Sequence, residues 1–80
     1  MAPPLHTSAY REFLARLRAA RRRSKLTQRE VARRLGKPQS YVSKSELGER
    51  RVDAVEAYAF AQLYGVSLEE LIVGPVRTTD

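Results

Sequence analysis

The spacing of apolar residues along the chain predicts five helices and no strand. The first helix is expected to begin at Ser8, as its N-cap, and to run to about Arg23. Its apolar positions recur at i, i+3, i+4 and i+7 and therefore share one helix face; they are Tyr10, Phe13, Leu14 and Leu17. No segment alternates with the period of two that a half-buried strand requires.

The middle of the chain contains the start and stop signals of two short helices separated by a turn. Thr27 and Glu30 form a capping box for the second helix, and Gly36 ends it with the residue type that a left-handed C-terminus favours. After a Lys-Pro turn, a third helix is predicted over residues 39–47. This arrangement is typical of a helix-turn-helix, whose second helix enters the major groove of DNA.

Two further capping boxes predict the last two helices. Asp53 with Glu56 begins the fourth helix, and Ser67 with Glu70 begins the fifth. The inward positions of the fourth helix are expected to be Val55, Tyr58, Ala59 and Leu63, with Phe60 on the flank, and those of the fifth Leu68, Leu71 and Ile72. The sequence thus predicts a compact all-α domain over residues 8–74, between a flexible arm at 1–7 and a flexible tail at 75–80.

Positive charge is concentrated in the first two thirds of the chain. Residues 11–51 contain 14 of the 15 lysines and arginines but only four glutamates. Residues 52–80 contain one arginine and five carboxylates, so the two parts carry net charges of opposite sign. Because the basic part coincides with the helix-turn-helix, we expect a polyanionic partner, double-stranded DNA.

The composition disfavours several other classes of protein. The chain lacks cysteine, and its one histidine, His6, lies in the arm, so we expect no metal site, no cofactor and no enzymatic activity. The sequence contains neither a run of about 20 apolar residues nor a hydrophobic signal core. We therefore expect a cytoplasmic protein without a membrane partner.

Four stretches of the chain carry a resemblance to a known family. They are Leu17-Arg18 with Arg21, Leu26-Thr27-Gln28 with Val31-Ala32, Tyr41-Val42-Ser43-Lys44 with Glu46 and Gly48, and GVSLEEL at residues 65–71. In this order and spacing, the chain from about Phe13 to Gly74 resembles the phage-repressor/Cro type of helix-turn-helix domain, also called the xenobiotic-response-element type. The resemblance implies a DNA-binding five-helix bundle of the lambda-repressor-like type, with the second and third helices forming the helix-turn-helix.

Three positions depart from the resembling family, and one of them is Ala20, which replaces a common leucine or isoleucine. Ser45 occupies a position that is usually apolar, and Leu47 follows where the family is usually polar. A lost buried aliphatic side chain costs roughly 2–4 kcal/mol if nothing refills its space. Leu47, Tyr58 and Phe60 are the residues that the sequence offers to fill it, and it does not decide among them.

The outward face of the third helix is expected to contact base edges. Val42 is its main inward residue, so positions 39, 40, 43 and 44 share the opposite face. The Gln39 amide suits adenine N6 and N7, and Lys44 suits guanine O6 and N7. Ser40 and Ser43 are small enough for the helix to approach closely. The alternative interpretation is that these are ordinary exposed polar residues.

Residues around the motif are expected to contact phosphates, which fix register without reading sequence. Gln28 begins the second helix, where free N–H groups and the helix dipole favour an anion. Tyr41 suits a phosphate contact and a packing role equally well. The other candidates are cations beside the third helix: Lys37 in the turn, and Arg50 and Arg51 in the following loop.

The resemblance adds an ion pair to these candidates. In the resembling family, an arginine at the position of Arg21 pairs with a glutamate at the position of Glu46, ties the recognition helix to the scaffold and also reaches a phosphate. The resemblance further implies that Gln28 binds phosphate and braces the first residue of the third helix. Two independent surface charges are the alternative for Arg21 and Glu46.

The predicted function is sequence-specific regulation of transcription, as a repressor or autoregulator on a palindromic operator. One recognition helix covers only a few base pairs, so we expect a homodimer on half-sites about 34 Å apart. The candidate interface residues, which alternatively complete the monomer core, are Val52, Ala54, Val55 and Leu68. The competing hypothesis is a protein-interaction adaptor or an antitoxin-type module that binds a protein partner.

Overall fold

A computed structural model describes residues 7–74 and contains five α-helices over that range. They are α1 (Ser8–Arg23), α2 (Gln28–Leu35), α3 (Gln39–Leu47), α4 (Ala54–Tyr64) and α5 (Leu68–Val73). The predicted all-α class is confirmed, and residues 7–74 contain no strand. Within the same range, no helix is long and apolar enough to cross a membrane.

Side-chain caps set the starts of four helices. The three predicted capping boxes are present, each with the N-cap oxygen accepting from the N3 amide and the N3 glutamate accepting from the N-cap amide. The prediction that Ser8 caps α1 is wrong, because Thr7 Oγ1 accepts from the Tyr10 amide at 3.1 Å. Thr7 therefore belongs to the folded region, whereas the rest of the predicted arm and the whole predicted tail lie outside the described residues.

The core surrounds α1, which packs against α3, α4 and α5, while α2 packs chiefly on α3. Each helix contributes at least one side chain with almost no exposed surface, namely Leu17, Val31, Val42, Phe60 and Leu71. Burial of such side chains supplies the main stabilising term of a domain without disulfides. The helix-turn-helix is therefore held by one continuous apolar cluster that reaches from α1 to α5.

The inward face predicted for α4 is wrong at Val55 and Tyr58, whereas Leu63 packs against the core as expected and Ala59 is partly buried. Val55 and Tyr58 are 79% and 52% exposed, and the buried residues of this helix are Ala57, Phe60, Ala61 and Tyr64. Phe60 is fully buried because it lies in an aromatic row, with its ring centroid 6.1 Å from that of Tyr41 and 5.9 Å from that of Tyr64. On α5, Leu71 is buried as expected, but Ile72 is 52% exposed.

Candidate nucleic-acid interface

The turn between α2 and α3 has the geometry of a tight helix-turn-helix. Gly36 adopts a left-handed conformation with φ of 68°, which few other residues adopt without strain. The Lys37 amide then donates to the Ala32 carbonyl at 2.9 Å and closes the end of α2. Pro38 occupies the N-cap position of α3, and no side chain caps that helix. Residues 36–38 thus join the two helices, and the first residues of α3, Gln39 and Ser40, are exposed.

The four residues predicted to read bases lie together on the outer side of α3. Gln39, Ser40 and Lys44 are exposed, and Ser43 is partly buried. The Ser43 hydroxyl donates to the Ser40 carbonyl at 3.3 Å, so it stays close to its own helix. The opposite side of α3 is buried and is formed by Val42, Ser45 and Glu46.

Leu47 is part of this outer side, which the sequence analysis missed. It follows Ser40 by seven positions and Lys44 by three, so the helical period places all three on one face. Its side chain is 62% exposed, and it does not fill the space beside Ser45. The helical spacing that grouped the other four residues was the signal available in the sequence.

The side chain of Glu46 joins three helices. It is only 4% exposed, and its carboxylate accepts from Arg21 Nε at 2.6 Å and from Arg21 Nη2 at 3.1 Å. Gln28 Nε2 at the start of α2 donates to the same carboxylate at 3.0 Å. The Arg21 guanidinium also donates to the Leu26 carbonyl at 3.0 Å, and its pKa is raised by the hydrogen bond with Glu46. One carboxylate therefore fixes α3 against both α1 and α2.

This geometry gives Gln28 a structural partner. Its amide nitrogen is directed to Glu46, on α3, whereas the resemblance implied a contact with the first residue of that helix. The Gln28 side chain is partly buried and lies at the N-terminus of α2, where backbone N–H groups favour an anion. The predicted phosphate contact of Gln28 stays a prediction.

Arg50 and Tyr41 form a second junction, which links α3 to the start of α4. Arg50 Nη1 donates to Ser45 Oγ at 3.1 Å, and Arg50 Nη2 donates to Glu56 Oε2 at 2.7 Å. The guanidinium carbon lies 4.2 Å from the centroid of the Tyr41 ring, which itself stacks on Phe60. Arg50 thus fills the space beside Ser45 together with the aromatic row; neither Leu47 nor Tyr58, both mostly exposed, does so.

Electrostatics at this junction agree with its geometry. The hydrogen bond to Glu56 raises the pKa of Arg50, and the hydrogen bond from Arg50 holds the pKa of Glu56 below its usual value. Burial raises the pKa of the Tyr41 phenol. The structure therefore places Tyr41 and Arg50 in intramolecular packing, although both were candidates for phosphate contacts.

Lys37 and Arg51 keep exposed cationic groups beside α3. Lys37 Nζ lies 5.3 Å from the Tyr41 ring centroid, and the Arg51 guanidinium carbon lies 5.2 Å from the Tyr10 ring centroid. Neither cation pairs with a carboxylate of residues 7–74. Both are therefore available to an anionic partner.

The four candidate dimer residues differ in burial. Val52 is a core residue with 8% exposure, and its amide donates to the Tyr10 hydroxyl at 2.9 Å, so its assignment to an interface is corrected. Leu68 is partly buried, whereas Ala54 and Val55 are exposed. Ala54 also lines a largely apolar groove of about 350 Å³ between α1, α4 and α5, together with Tyr10, Phe13, Ala57 and Ile72.

Comparisons with known proteins agree with this geometry. A family model described as "Helix-turn-helix" matches residues 17–71. A relative from Sinorhizobium fredii (strain NBRC 101917 / NGR234), named "Uncharacterized HTH-type transcriptional regulator y4dJ", is 44% identical over 52 residues, which are 65% of this chain and 68% of the relative.

A solved structure agrees as well. It is described as "XRE-family like protein from Pseudomonas syringae pv. tomato str. DC3000" and matches with a TM-score of 0.76 and 42% identity, covering 80% of this chain and 78% of the other. The predicted five-helix fold and the resemblance are thereby confirmed. The chain belongs to the helix-turn-helix DNA-binding family of the XRE type.

Proposed function

We propose that this protein is a sequence-specific regulator of transcription that reads the major groove of double-stranded DNA with α3. The observation that carries the proposal is the contrast between the two sides of that helix. Its outer side is largely exposed and is polar except at Leu47, and its inner side is fixed through the buried carboxylate of Glu46. A rigid helix with a free polar side is what direct readout of base edges requires.

Each residue of the outer side has a distinct role in this proposal. Gln39 donates to and accepts from an adenine, and Lys44 donates to the O6 and N7 acceptors of a guanine. Ser40 and Ser43 bring the helix close to the groove and add single hydrogen bonds. Leu47 adds apolar surface at the end of the same side, where it packs against sugar or a thymine methyl group.

Phosphate contacts supply most of the affinity in the proposed complex. Lys37 and Arg51 lie beside α3, and Arg21 contributes through its partly exposed guanidinium. Each neutralised phosphate releases counterions, so binding weakens steeply as salt rises. These contacts fix the position of the domain on the duplex, while the outer side of α3 selects the sequence.

We further propose that the regulator acts as a homodimer on a palindromic operator, as a repressor or an autoregulator. Val55 and Ala54 are exposed at the start of α4, and Ala54 adjoins the apolar groove. Burial of this surface against a second copy would bring two recognition helices onto one duplex. The transcriptional regulator named among its relatives supports the regulatory role.

A selection experiment tests the reading of DNA. Purified protein is used to select sites from a random duplex library at two salt concentrations. We expect a palindromic motif with half-sites one helical turn apart. Enrichment without a motif, with affinity that is lost as salt rises, would instead mean that the basic surface binds phosphates only.

Two glutamines provide a matched pair of variants for this test. Gln39 is exposed on α3, and Gln62 is exposed on α4. Gln39→Ala should relax the selected motif at one base pair per half-site and cost about 1–3 kcal/mol of binding free energy. Gln62→Ala should leave the motif and the affinity unchanged; equal effects of the two substitutions would contradict the assignment of α3.

Sedimentation velocity over a range of protein concentrations, with and without the selected duplex, tests the dimer. Val55→Asp should dissociate the dimer and weaken binding to the two half-site duplex far more than to a single half-site. Ala15→Asp, on the exposed side of α1, serves as the control. A monomer bound one to one at all concentrations would contradict the dimer.

A protein-binding role is the second candidate, because large apolar side chains are exposed on α4 and α5. These are Val55, Tyr58, Ile72 and Val73. A patch of this kind marks an interaction surface when it is contiguous. If the chain is a monomer on DNA, this surface becomes the candidate site for an antitoxin-type protein partner.

A further inference from the structure

The loop between α3 and α4 contains two neighbouring arginines with different surroundings. The Arg51 guanidinium is exposed and contacts only the face of Tyr10 among the aromatic rings. The Arg50 side chain is 30% exposed and contacts a hydroxyl, a carboxylate and an aromatic ring. Sequence alone made the two residues equivalent candidates for phosphate contacts, and the structure separates them.

On the α4 side, Arg50 is held by a carboxylate that is itself fixed. Glu56 Oε1 accepts from the Asp53 amide at 3.0 Å and completes the capping box of α4. Glu56 Oε2 accepts from Arg50 Nη2 at 2.7 Å. Because the backbone at the first turn of α4 fixes Glu56 Oε1, the position of Oε2, which accepts from Arg50, is fixed as well.

On the α3 side, Arg50 contacts two residues one helical turn apart. The hydroxyl of Ser45 is fully buried, donates to the Tyr41 carbonyl at 2.6 Å and accepts from Arg50 Nη1 at 3.1 Å. The Tyr41 ring lies under the guanidinium at 4.2 Å. An aliphatic residue at position 45 would remove the acceptor, so the serine at this position and Arg50 depend on each other.

We propose that Arg50 is a positioning residue that sets the orientation of α3 relative to α4, and that Glu56 and Ser45 hold it in place. The proposal rests on the proposed DNA-reading function, and it assigns the specificity of that reading partly to residues that touch no DNA. Recognition groups must lie within about 0.5 Å of their productive positions. A small rotation of α3 would therefore misplace Gln39 and Lys44 together.

Glu56→Gln separates positioning from phosphate binding by the sign of its effect. The glutamine oxygen still accepts from the Asp53 amide, but the charge that fixes Arg50 is lost. The protein also becomes more positive by one charge, which by itself strengthens binding to any duplex. If Arg50 positions α3, affinity for the selected duplex should fall about tenfold, while affinity for a scrambled duplex should stay equal or rise.

Fluorescence anisotropy with both duplexes over a salt series gives this comparison. Equal or tighter binding of the Glu56→Gln variant to the selected duplex, with a steeper salt dependence, would mean that the released Arg50 binds phosphate and would overturn the proposal. Failure of the proposed function is distinguishable, because the wild-type protein would then bind both duplexes equally.

The two arginines provide the matched control. Arg51→Gln should weaken binding to both duplexes alike and reduce the slope of log affinity against log salt by about 0.9. Arg50→Gln should weaken binding to the selected duplex far more than to the scrambled duplex, which senses only the lost net charge, and should leave that slope nearly unchanged. A reduced slope and uniform loss for Arg50→Gln would assign it to phosphate and overturn the proposal.

A measurement without DNA keeps the proposal falsifiable if a variant loses stability. Amide chemical shifts are compared at a temperature where circular dichroism shows each variant to be folded. Glu56→Gln and Ser45→Ala should shift the amides of residues 39–40, which lie on the outer side of α3 at the end of the helix away from position 45, whereas Arg51→Gln should not. Unchanged amides over that range in both variants would overturn the proposal.

Discussion

Two ion pairs lie beside α3, and they differ in burial. Arg21 and Glu46 approach to 2.6 Å, and their side chains are 12% and 3% exposed. Arg50 and Glu56 approach to 2.7 Å, but their side chains are 30% and 24% exposed. The two distances are nearly equal, but loss of one partner should destabilise the protein more at the first pair. Removal of one partner from a buried pair leaves an uncompensated charge in the interior.

The two pairs also differ in how many elements they join. The Glu46 carboxylate accepts hydrogen bonds from α1 and α2, and its partner Arg21 also holds the turn between those helices. Arg50 joins α3 to the first turn of α4 across a loop. We therefore expect the pair of Arg21 and Glu46 to affect chiefly the stability of the fold, and the pair of Arg50 and Glu56 to affect chiefly the orientation of α3.

The largest effect is expected where the buried pair is broken. Glu46→Ala leaves the largely buried Arg21 guanidinium without its carboxylate partner and should lower the free energy of unfolding by about 3 kcal/mol. It should also weaken DNA binding, because α3 loses its attachment to α1 and α2. Thermal melting of this variant, of Arg21→Ala and of the double variant measures the coupling, and additive losses would show that the two charges act independently.

A smaller effect of opposite sign is expected beside the same pair. The Tyr64 hydroxyl is buried near Glu46 and has no hydrogen-bond partner within the described part of the chain. A buried polar group without a partner is destabilising, so Tyr64→Phe should raise the free energy of unfolding by about 1 kcal/mol. Loss of stability in this variant would reveal an acceptor that the hydroxyl requires.

The Tyr64 variant also has a signature at alkaline pH. Burial raises the pKa of the Tyr64 phenol in the folded protein above its value in the unfolded chain, which is about 10. Above about pH 10 the unfolded chain therefore loses this proton before the folded protein does, and the free energy of unfolding falls as pH rises. Tyr64→Phe should therefore flatten the alkaline limb of stability against pH. Tyr41, whose pKa is also raised, retains part of that dependence in the variant.

The partly exposed pair of Arg50 and Glu56 should contribute less than about 1 kcal/mol to the free energy of unfolding, and acid titration should detect it. The hydrogen bond from Arg50 lowers the pKa of Glu56 in the folded protein below its usual 4.5. Its stabilising contribution is then present above pH 4.5 and is lost as pH falls through the folded pKa. Urea unfolding between pH 3 and 6 should show a shallower acid loss for Glu56→Gln, and identical curves would mean that this pair contributes nothing.

The smallest change in stability is expected on the outer side of α3. Gln39 and Lys44 are exposed and their side chains take no part in holding the helices together. Gln39→Ala and Lys44→Ala should each change the free energy of unfolding by less than about 0.5 kcal/mol. A larger loss in thermal melting would show that the outer side of α3 also supports the fold.

Features that depend on neighbouring residues could be predicted from the sequence. The three capping boxes follow from residues three positions apart, and Gly36 and Gly48 mark the ends of α2 and α3. The outer side of α3 follows from Val42 and the helical period. The cap of α1 was misplaced by one residue because Thr7 and Ser8 are both good caps and only the geometry chooses between them.

Features that depend on distant residues could not be predicted in this way. Helix α4 is apolar on most sides, so its periodicity does not identify the inner face. The inner face of α4 is instead set by stacking of Phe60 between Tyr41 and Tyr64. This stacking buries Phe60 and Tyr64 and leaves Val55 exposed. The Ser45 hydroxyl accepts a hydrogen bond from Arg50 in the following loop, and no local sequence pattern predicts that contact.

The carboxylate of Glu46 has a consequence for how such a protein diversifies. Since the contacts of Glu46 fix the helices from the inner side of α3, we expect substitutions on the outer side to change the free energy of unfolding little. If α3 reads DNA as proposed, related proteins can change the DNA sequence that they bind by substitution at a few outer positions, without a loss of stability that later substitutions must offset. An engineer can follow the same route and graft the outer residues of another reader onto this scaffold.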